Sequence, residues 1–341
     1  MSYARCIIAT KSNVAIAEIS PEIEYISWRL NKVGRAKFSL STSDTKAIEE
    51  NLRFGNRILF EFDNGLPNWC GVIDPPRDWD QGLIKCMAFS AEHIFSFRST
   101  DKGRYFSGQT VGAIFKKLIQ EANDVSQMGI TVGTVWEGGD VHSPEYHYKS
   151  LLDIFQDSLT YNLSNADFDV TGTYASGNLI FKANLYEQKG TTKTGVALVE
   201  GSNITDMTIS ELGPIINSWD VVGEGFGWGE ERPTAHADDS TSIAIYGLRE
   251  DSRVYPSVSQ PTTLTSHANN SLAESKSPYR EYSLDVLNQS PGTFANYGIG
   301  DIVSFLSHSF GFNGIDATVR IMEREYRPEQ SDCYLVVKEI N

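Results

Sequence analysis

Alternation of apolar and polar residues dominates the first ninety positions of the chain. Residues on one face of a half-buried strand recur at every second position, which predicts a sheet with one solvent-exposed face. Three early runs have this period, at 14–19, 24–30 and 36–40. Ser43 and Asp44 follow, and both side chains can accept hydrogen bonds from the free amides of a first helical turn. A brief helix is therefore predicted from these residues to Leu52.

The clearest hairpin of the sequence lies over residues 57–73. One face of its first strand carries Ile58, Phe60 and Phe62. Asn64 and Gly65 then supply the positive φ angles of a tight turn. A further strand is predicted at 82–88. Closing six or seven short strands removes their exposed edges, so residues 1–100 are predicted to form a closed or nearly closed barrel.

A helical period replaces the two-residue period after residue 100. The first helix face carries Val111, Ile114, Phe115, Leu118, Ile119 and Ala122. Thr110 stands at the position of its N-cap, and a capping box at Ser150 opens a second helix. That second helix carries Leu151, Ile154, Phe155 and Leu159. A hairpin over residues 168–185, with Gly177-Asn178 in its turn, completes an α+β unit.

Strands return after residue 201, at 207–209 and 216–223, where a second β unit is predicted to begin. It is interrupted by a glycine-rich, acidic loop at 224–239 and by a helix at 262–277. On this helix three residues recur at four-residue steps, Leu264, Ala268 and Leu272. The remaining strands are predicted at 282–287, 301–306, 317–324 and 333–340.

The predicted fold class is therefore β-rich α+β, with two tube-like β-barrel domains, an α+β domain between them and a small helical insertion in the second barrel. The predicted domains are residues 1–100 (first barrel), 101–200 (α+β domain), 201–237 with 279–341 (second barrel) and 238–278 (helix-containing insertion). A chain of 341 residues is long enough for two or three packed units. Its 40% hydrophobic and 21% charged residues are typical of a folded protein.

Composition excludes several classes of protein. No run approaches the roughly eighteen apolar residues of a membrane-spanning helix, and the first residues lack the apolar core of a signal peptide, so we expect synthesis in the cytoplasm. The net charge is −15, and Lys and Arg form no block. Tight nucleic-acid binding is therefore not expected. Such acidity can serve solubility, or a conduit through which DNA slides without sticking. Composition does not choose between these two.

The cysteines and histidines suggest no catalytic or metal site. The cysteines lie in strand-like runs and predict buried free thiols, at Cys6, Cys70, Cys86 and Cys333. His142 and His147 are five positions apart with Pro144 between them, so one regular helix face cannot hold both. A surface loop is predicted there. The other histidines are far apart, at His93, His236, His267 and His308.

Three further patterns contain residue types that also occur in binding or catalytic sites. Glycines at 223, 225, 227 and 229 resemble a phosphate cradle, but acidic residues crowd them and Pro233 follows, which favours a connection or hairpin tip. The acidic pairs Asp78/Asp80 and Asp238/Asp239 leave a glycosidase pairing open. Tryptophans can stack on sugars, although strand surroundings favour packing. They are Trp28, Trp69, Trp79, Trp136, Trp219 and Trp228. No catalytic, cofactor-binding or metal-binding residue is assigned.

The order of these elements resembles the tail-hub family. This family includes baseplate hubs of contractile phage tails, hub portions of type VI secretion spikes and N-terminal parts of siphophage tail-tip proteins. The stretches that carry the resemblance are YISWRL (25–30), FSL (38–40), RILFEF (57–62), GVI (71–73), SIAIYGLRE (242–250), the run 264–272 and GDIV (300–303).

The resemblance covers nearly the whole chain and implies a homotrimer. In the family, two tube-like barrels per subunit make a pseudo-sixfold ring from three chains, which adapts a hexameric tail tube to a threefold tip. It implies a virion protein of the phage tail tip, without enzymatic activity or cofactor, between a tail-tube or distal tail protein and a spike or fibre. DNA would pass through its channel without specific binding. A chain ending at Asn341 is expected to be a hub without a C-terminal extension.

Two other functions remain open on the sequence. The unassigned acidic residues allow a tail-associated cell-wall hydrolase, and six tryptophans on a β scaffold allow a carbohydrate-binding adhesin. The lack of a catalytic pattern and of a C-terminal module favours the hub over both.

Overall fold

The computed structural model describes residues 5–139, 141–156, 164–225, 232–255, 258, 260–308, 314–329 and 332–340. Strands predominate in these residues, with 23 strands against five α-helices. The predicted β-rich class is therefore confirmed. Most of the strands belong to one 13-stranded sheet.

The first ninety residues form seven strands and one short helix. These are β1 (Arg5–Ala9), β2 (Ala15–Ile19), β3 (Glu22–Arg29), β4 (Arg35–Ser41), α1 (Glu49–Leu52), β5 (Arg57–Glu61), β6 (Trp69–Asp80) and β7 (Leu83–Ser90). The prediction that Ser43 and Asp44 open the helix is wrong. Asp44 Oδ1 accepts a hydrogen bond from Lys46 N at 2.8 Å in a separate turn, and α1 begins only after Ile48.

The hairpin predicted over residues 57–73 is confirmed, with Phe60 opposite Trp69. Its connection is longer than the predicted tight turn, because β5 ends at Glu61 and β6 begins at Trp69. Of the two turn residues, only Gly65 has a positive φ, +85°. Asn64 instead accepts a hydrogen bond through Oδ1 from Leu66 N at 3.2 Å.

The middle region mixes helices with short strands. In chain order it holds a 3-10 helix (Ala91–Phe97), β8 (Arg104–Tyr105), β9 (Gln109–Thr110), α2 (Val111–Val125), β10 (Ile130–Val135), β11 (Val141–His142), β12 (Glu145–Tyr146), α3 (Leu151–Asp153), β13 (Asp167–Ala175) and β14 (Asn178–Tyr186). This part of the chain thus contains both helices and strands, and its division into an α+β domain over residues 101–200 stays a prediction.

Local capping explains where both predicted helices of this region begin. Thr110 Oγ1 accepts a hydrogen bond from Ala113 N at 3.3 Å, as predicted for α2. Ser150 Oγ accepts one from Asp153 N at 3.0 Å and opens α3. Leu159, predicted on the second helix, lies outside the described residues.

The hairpin of β13 and β14 is confirmed with its turn one residue earlier than predicted. Ala175 pairs with Asn178, so the two central residues are Ser176 and Gly177. Their φ angles are +51° and +81°. Positive φ at both central positions matches the right-handed twist of the flanking strands.

The last region returns to strands. It holds β15 (Thr192–Val199), β16 (Ile204–Leu212), β17 (Ser218–Val222), β18 (Thr234–Asp238), α4 (Ser240–Tyr246), β19 (Glu250–Val254), α5 (Pro261–Ser275), β20 (Tyr279–Leu287), a 3-10 helix (Phe294–Asn296), β21 (Ile302–Ser307), β22 (Ile315–Arg327) and β23 (Asp332–Glu339). β15, predicted within the α+β unit, instead pairs in parallel with β21 of the large sheet.

The strand predicted at 216–223 exists as β17, but it does not lie in the large sheet. It is the central strand of a separate three-stranded sheet, β18-β17-β19. Trp219 and Val221 on β17 pack against Leu264 and Ala268 of α5 in a small core of their own. The apolar residues of β17 are thus buried by a helix that follows it by some forty positions, which its own alternation does not reveal.

One long strand, β22, unites the two ends of the chain. It pairs with β21 and β23, and its last residues pair with β3, with Arg324 opposite Trp28. The order in the sheet is β16-β20-β23-β22-β3-β4-β7-β6-β5-β1-β2, with β21 paired to β22 and β15 to β21. These pairings of the described residues do not form a closed barrel. The arrangement in two tube-like barrels therefore stays a prediction.

Strands β1 and β5 are buried on both faces. In β1, Ile8 packs in the core of the first seven strands, while Ile7 packs with α2 and β13. In β5, Phe60 packs in the core of the first seven strands, and Leu59 packs in the same core as α2 and β13. The prediction of one solvent-exposed face is thus wrong for these strands, because the middle region covers their outer face. Double burial explains why both strands are apolar without strict alternation.

Candidate functional site

Asp167 joins three parts of the chain. Its carboxylate accepts hydrogen bonds from Asn31 Nδ2 at 2.8 Å and from Lys189 N at 2.7 Å, and it also pairs with the Arg320 guanidinium. Its side chain is 3% exposed and that of Arg320 is 18% exposed. Asn31 also accepts a hydrogen bond through Oδ1 from Phe168 N, the residue after Asp167, at 2.8 Å. This Asp167 junction ties β13 to the loop after β3 and to β22.

A cavity of about 200 Å³ lies beside this junction. It is lined by residues of all three regions, including Trp28, Glu92, Asp169, Lys189 and Ile299. Lys189 Nζ lies 2.6 Å from Asp169 Oδ2. Glu92 is buried, and its Oε1 accepts a hydrogen bond from Val170 N at 2.7 Å. The cavity lining is thus mainly apolar, and the charged groups on it bond to neighbouring protein groups.

Burial raises the pKa of the Glu92 carboxyl above its ordinary value, against the opposing effect of hydrogen bonds from Ser90 and Val170 N. The folded state therefore holds this proton more tightly than the unfolded state. The resulting stabilisation is complete below the unfolded pKa of about 4.3 and is lost as the pH rises through the folded pKa.

Glu92→Gln cannot ionise, so it does not lose this stabilisation as the pH rises. Its free energy of unfolding, relative to that of the natural protein, is therefore expected to be higher at pH 8 than at pH 4. Urea unfolding at both pH values measures this difference. Glu24→Gln, at an exposed position, serves as the control. A Glu92→Gln difference that does not change with pH would contradict the prediction.

The structure separates the two histidines that were predicted in one surface loop. His147 is exposed, with Nε2 3.2 Å from Glu145 Oε1. His142 is buried instead, in β11, because its ring lies against His267 of α5 with 6.5 Å between ring centroids. His267 in turn stacks on Tyr255 at 4.3 Å. The surface prediction is wrong for His142, since α5 covers it from a distant part of the sequence.

The acidic pairs take part in local structural contacts. Asp80 Oδ2 lies 2.6 Å from Lys85 Nζ across the β6–β7 hairpin. Asp239 caps α4, where its carboxylate accepts a hydrogen bond from Ser242 N at 2.8 Å. This bond, with an ion pair to Lys276, lowers the pKa of Asp239. Among the described residues, no group of three or more His, Cys, Asp and Glu is placed to hold a metal ion.

The glycine-rich run stands in the sequence between β17 and β18, which agrees with the predicted connection or hairpin tip. Val222 of β17 is opposite Thr234 of β18, so residues 223–233 connect two antiparallel strands. The Arg232 guanidinium donates a hydrogen bond to Gly223 O at 2.6 Å. Glycines 227 and 229 lie outside the described residues.

The cysteines are buried free thiols, as predicted. Burial raises the pKa of the Cys86 thiol and that of the Cys333 thiol to about 11 each. Both thiols are therefore protonated at neutral pH, which removes the thiolate that reactivity and metal binding require.

The tryptophans differ in exposure. Trp69 and Trp219 are buried, Trp28 and Trp136 are half-buried, and Trp228 lies outside the described residues. Trp79 differs from these, because it is 61% exposed.

Trp79 belongs to an exposed apolar surface at the end of the β6–β7 hairpin. Phe54 is 42% exposed and Ile48 is 46% exposed. The Arg77 guanidinium lies between two of the rings, 4.8 Å from the Phe54 centroid and 5.1 Å from the Trp79 centroid. We call this surface, formed by Ile48, Glu49, Phe54, Arg77 and Trp79, the Trp79 patch.

The two ends of the large sheet differ in protection. At β2, Ala15 N donates to Gly177 O at 2.9 Å and Lys46 Nζ donates to Glu18 O at 2.5 Å, so its outer edge is partly covered. At the other end, β16 pairs with β20 and otherwise, among the described strands, makes only an isolated bridge at its first residue. An unpaired strand edge can accept a strand from another chain.

The Asp167 junction and the Trp79 patch were missed by sequence reasoning. Two of the three partners of Asp167 lie 136 and 153 positions away, and no local pattern links them. Trp79 did carry a usable pattern, because it stands between Asp78 and Asp80 in a run of polar residues. Charged neighbours on both sides are typical of an exposed position. No helix in the described residues is long and apolar enough to cross a membrane.

Solved structures share this fold over almost its whole length. Prophage tail protein gp18 from Listeria monocytogenes EGD-e matches 99% of this chain and 95% of its own, with a TM-score of 0.64 and 13% identity. The match to a tail protein from Neisseria meningitidis MC58 covers 99% of this chain and 97% of the Neisseria protein, with a TM-score of 0.63 and 13% identity.

A third structure links the fold to secretion systems. It is the E. coli c3393 protein, a component of the type VI secretion system with structural similarity to T4 bacteriophage tail proteins gp27 and gp5. It matches 94% of this chain and 74% of its own, with a TM-score of 0.55 and 11% identity. No protein-family model and no curated protein matches the chain by sequence. The chain thus has the fold of solved phage tail proteins, which confirms the predicted resemblance to the tail-hub family at the level of the fold.

Proposed function

We propose that this chain is a structural protein of the virion, located in a phage tail, and that it forms the hub at the distal end of that tail. The observation that carries the proposal is the likeness of fold to prophage tail proteins over 99% of this chain. The proposed role is architectural and requires neither a catalytic residue nor a cofactor.

We further propose that three copies close into a pseudo-sixfold ring. The β3–β22 pairing supports this, because it holds two strand-rich regions together in each copy, so that three copies supply six. In this proposal each region is a tube-like barrel, and the α+β unit and the helical insertion lie outside the barrels. Among the described strands, β16 pairs in the sheet with β20 alone, so the rest of its other edge offers a place for pairing between copies.

The proposed ring joins the tail tube, or a distal tail protein, to a spike or fibre and forms part of the DNA ejection channel. Charge supports a channel that DNA crosses without specific binding. Residues 201–341 contain 20 acidic and 9 basic residues, whereas residues 1–100 contain 12 of each. An acidic wall repels the phosphate backbone and disfavours retention of DNA.

Mass measurement in solution tests the ring. The full-length chain is expected to approach the mass of a trimer as its concentration rises, and a particle image is expected to show a threefold or pseudo-sixfold ring around a pore at the tail tip. A chain that stays monomeric and also lies elsewhere in the particle would overturn the proposal. Cell-wall degradation by the purified protein would contradict the proposed hub function and would support a tail-associated cell-wall hydrolase.

A further inference from the structure

The large sheet consists of two units whose strands are connected in the same way. In the first unit, β5, β6 and β7 are consecutive antiparallel neighbours, β7 pairs with β4, and β4 pairs with β3. In the second unit, β21, β22 and β23 are consecutive antiparallel neighbours, β23 pairs with β20, and β20 pairs with β16. Beyond these, β1 pairs with β5 and β15 pairs with β21, the latter in parallel. Strand for strand, β3 corresponds to β16, and β6 corresponds to β22.

Within the chain, the two units meet through one contact between strand edges. Residues 26–29 of β3 pair antiparallel with residues 323–326 of β22. Leu30 N extends the contact by donating to Met322 O at 2.9 Å. This part of β22 is open to β3 because β21 pairs only with residues 315–320. The contact thus joins an edge strand of the first unit to the half of a long strand that its own neighbour leaves uncovered.

Each unit also has the counterpart of the edge that it does not use in this contact. In the first unit, β5 pairs with residues 69–72 of β6, and among the described strands only β7 pairs with residues 77–80. Residues 78–80 are exposed. In the second unit, β16 pairs with β20 and otherwise, within the described residues, makes only a bridge from Ile204 to Glu200. The free end of β6 corresponds to the end of β22, and the free edge of β16 corresponds to that of β3.

We propose that β16 of one copy pairs antiparallel with residues 77–80 of β6 in a neighbouring copy. The contact repeats between chains what β3 and β22 do within each chain. Its two edges are different surfaces, and such a head-to-tail contact closes into a ring when the rotation between copies fits. Each copy supplies one edge of each kind, so a closed ring leaves neither unpaired. This inference rests on the proposed ring and identifies the strands that close it.

Both edges contain acidic residues, and two of their carboxylates already have cationic partners in the same chain. Asp80 Oδ2 lies 2.6 Å from Lys85 Nζ, and Glu211 Oε1 lies 3.1 Å from Arg280 Nε. Like charges directly opposite each other destabilise a strand pair, and these ion pairs reduce that repulsion. The bonds of the contact come from backbone N–H and C=O groups, which a strand edge offers to another strand.

Hydrogen exchange of the natural chain over a concentration series tests the contact without any substitution. At about ten times the dissociation constant of the ring, amides on the free edges of β16 and of residues 77–80 are expected to exchange about tenfold more slowly than in the dilute chain. The matched control is β19, an exposed edge strand of the three-stranded sheet, whose exchange should not change. A ring that forms while β16 and residues 77–80 exchange at an unchanged rate would overturn this inference and leave the ring standing.

Paired cysteines test the direction of the pairing. Asp78→Cys or Asp80→Cys is combined with one cysteine at a position from 205 to 211 in β16. Opposite residues of antiparallel strands have Cα atoms about 4.5–5.5 Å apart, which a disulfide can bridge. Mild oxidation is expected to join different chains. The fastest partner of Asp80→Cys should lie about two positions nearer the start of β16 than that of Asp78→Cys, because the strands are antiparallel.

Controls make the crosslinks specific to these edges. The natural cysteines are buried and do not compete. Thr234→Cys, at an exposed position in the edge strand β18, replaces the β16 cysteine and should crosslink far more slowly. Circular dichroism verifies that each variant is folded. Crosslinking through β16 that is no faster than through Thr234→Cys, or a best partner that is the same for both β6 positions, would contradict the antiparallel contact.

Two further results separate this inference from the proposed ring. If a single cysteine in β16 joins copies as fast as the paired variants do, β16 pairs with itself in a two-fold dimer and the inference is wrong. A natural chain that never forms a ring, in solution or in the particle, would overturn both proposals.

Discussion

Replacing Arg324 with alanine is expected to lower the free energy of unfolding by about 3–5 kcal/mol. Arg324 is fully buried in β22. It donates through Nη1 to Tyr297 O at 2.9 Å and through Nη2 to Phe294 O at 3.1 Å, and its guanidinium lies about 5 Å from both rings, at 4.9 Å and 5.1 Å. Alanine leaves a cavity and removes the donors of two buried carbonyls. Chemical denaturation of the purified chain measures the loss.

Arg324→Met separates the two causes. Methionine retains most of the volume but donates no hydrogen bond, so its expected loss is smaller than that of alanine. Arg5→Ala, where the arginine is paired with Glu18 at the surface, should change the stability little. If Arg324→Ala behaves like Arg5→Ala, the buried arginine does not stabilise the loop that contains Phe294 and Tyr297.

Asp167→Ala is expected to lower the free energy of unfolding by a similar amount, about 3–5 kcal/mol, because it leaves a largely buried partner charge on Arg320 uncompensated. It also removes the acceptor for Asn31 Nδ2 and Lys189 N. Since these groups belong to three regions of the chain, the loss should also reduce the cooperativity between them. Calorimetry is expected to show a broader transition, or two, where the natural chain shows one.

Two variants make the Asp167 result specific. Asp167→Asn preserves a carbonyl oxygen that can accept a hydrogen bond but removes the charge, so it should be less harmful than alanine. Asp80→Ala removes the exposed partner of Lys85 and should have little effect. A single sharp transition of unchanged midpoint for Asp167→Ala would show that the three regions are held together without this carboxylate.

Helices and hairpins that form because of residues close together in the sequence were predictable. The six apolar residues of α2 share one helix face whatever surrounds it, and Thr110 caps it through a contact three positions away. The β13–β14 hairpin was predictable for the same reason, although Ser176 took the place in the turn expected of Asn178. The family-like order of elements was likewise visible, because order is a property of the chain itself.

Features that depend on distant partners were not predictable. Alternation indicated that β17 has an apolar face, but it could not indicate that α5, rather than the large sheet, buries that face. His142 was expected in a surface loop because Pro144 and the five-residue spacing to His147 rule out one regular helix face, yet α5 covers it. Asp167 has no sequence pattern at all, because the groups that it joins meet only in the folded chain.

The alternating and helical periods of the sequence were thus enough to define the strand-rich class and most of the elements, while the order of those elements carried the resemblance to the tail-hub family. Hydrophobic periodicity is local, and it determines which face of an element must be buried without naming what buries it. The pairing of β22 with β3, the double burial of β1 and β5, and the stacking of Phe54, Arg77 and Trp79 came from the tertiary structure alone. Each of these brings together residues well separated along the chain, and their meeting depends on the packing of the whole molecule.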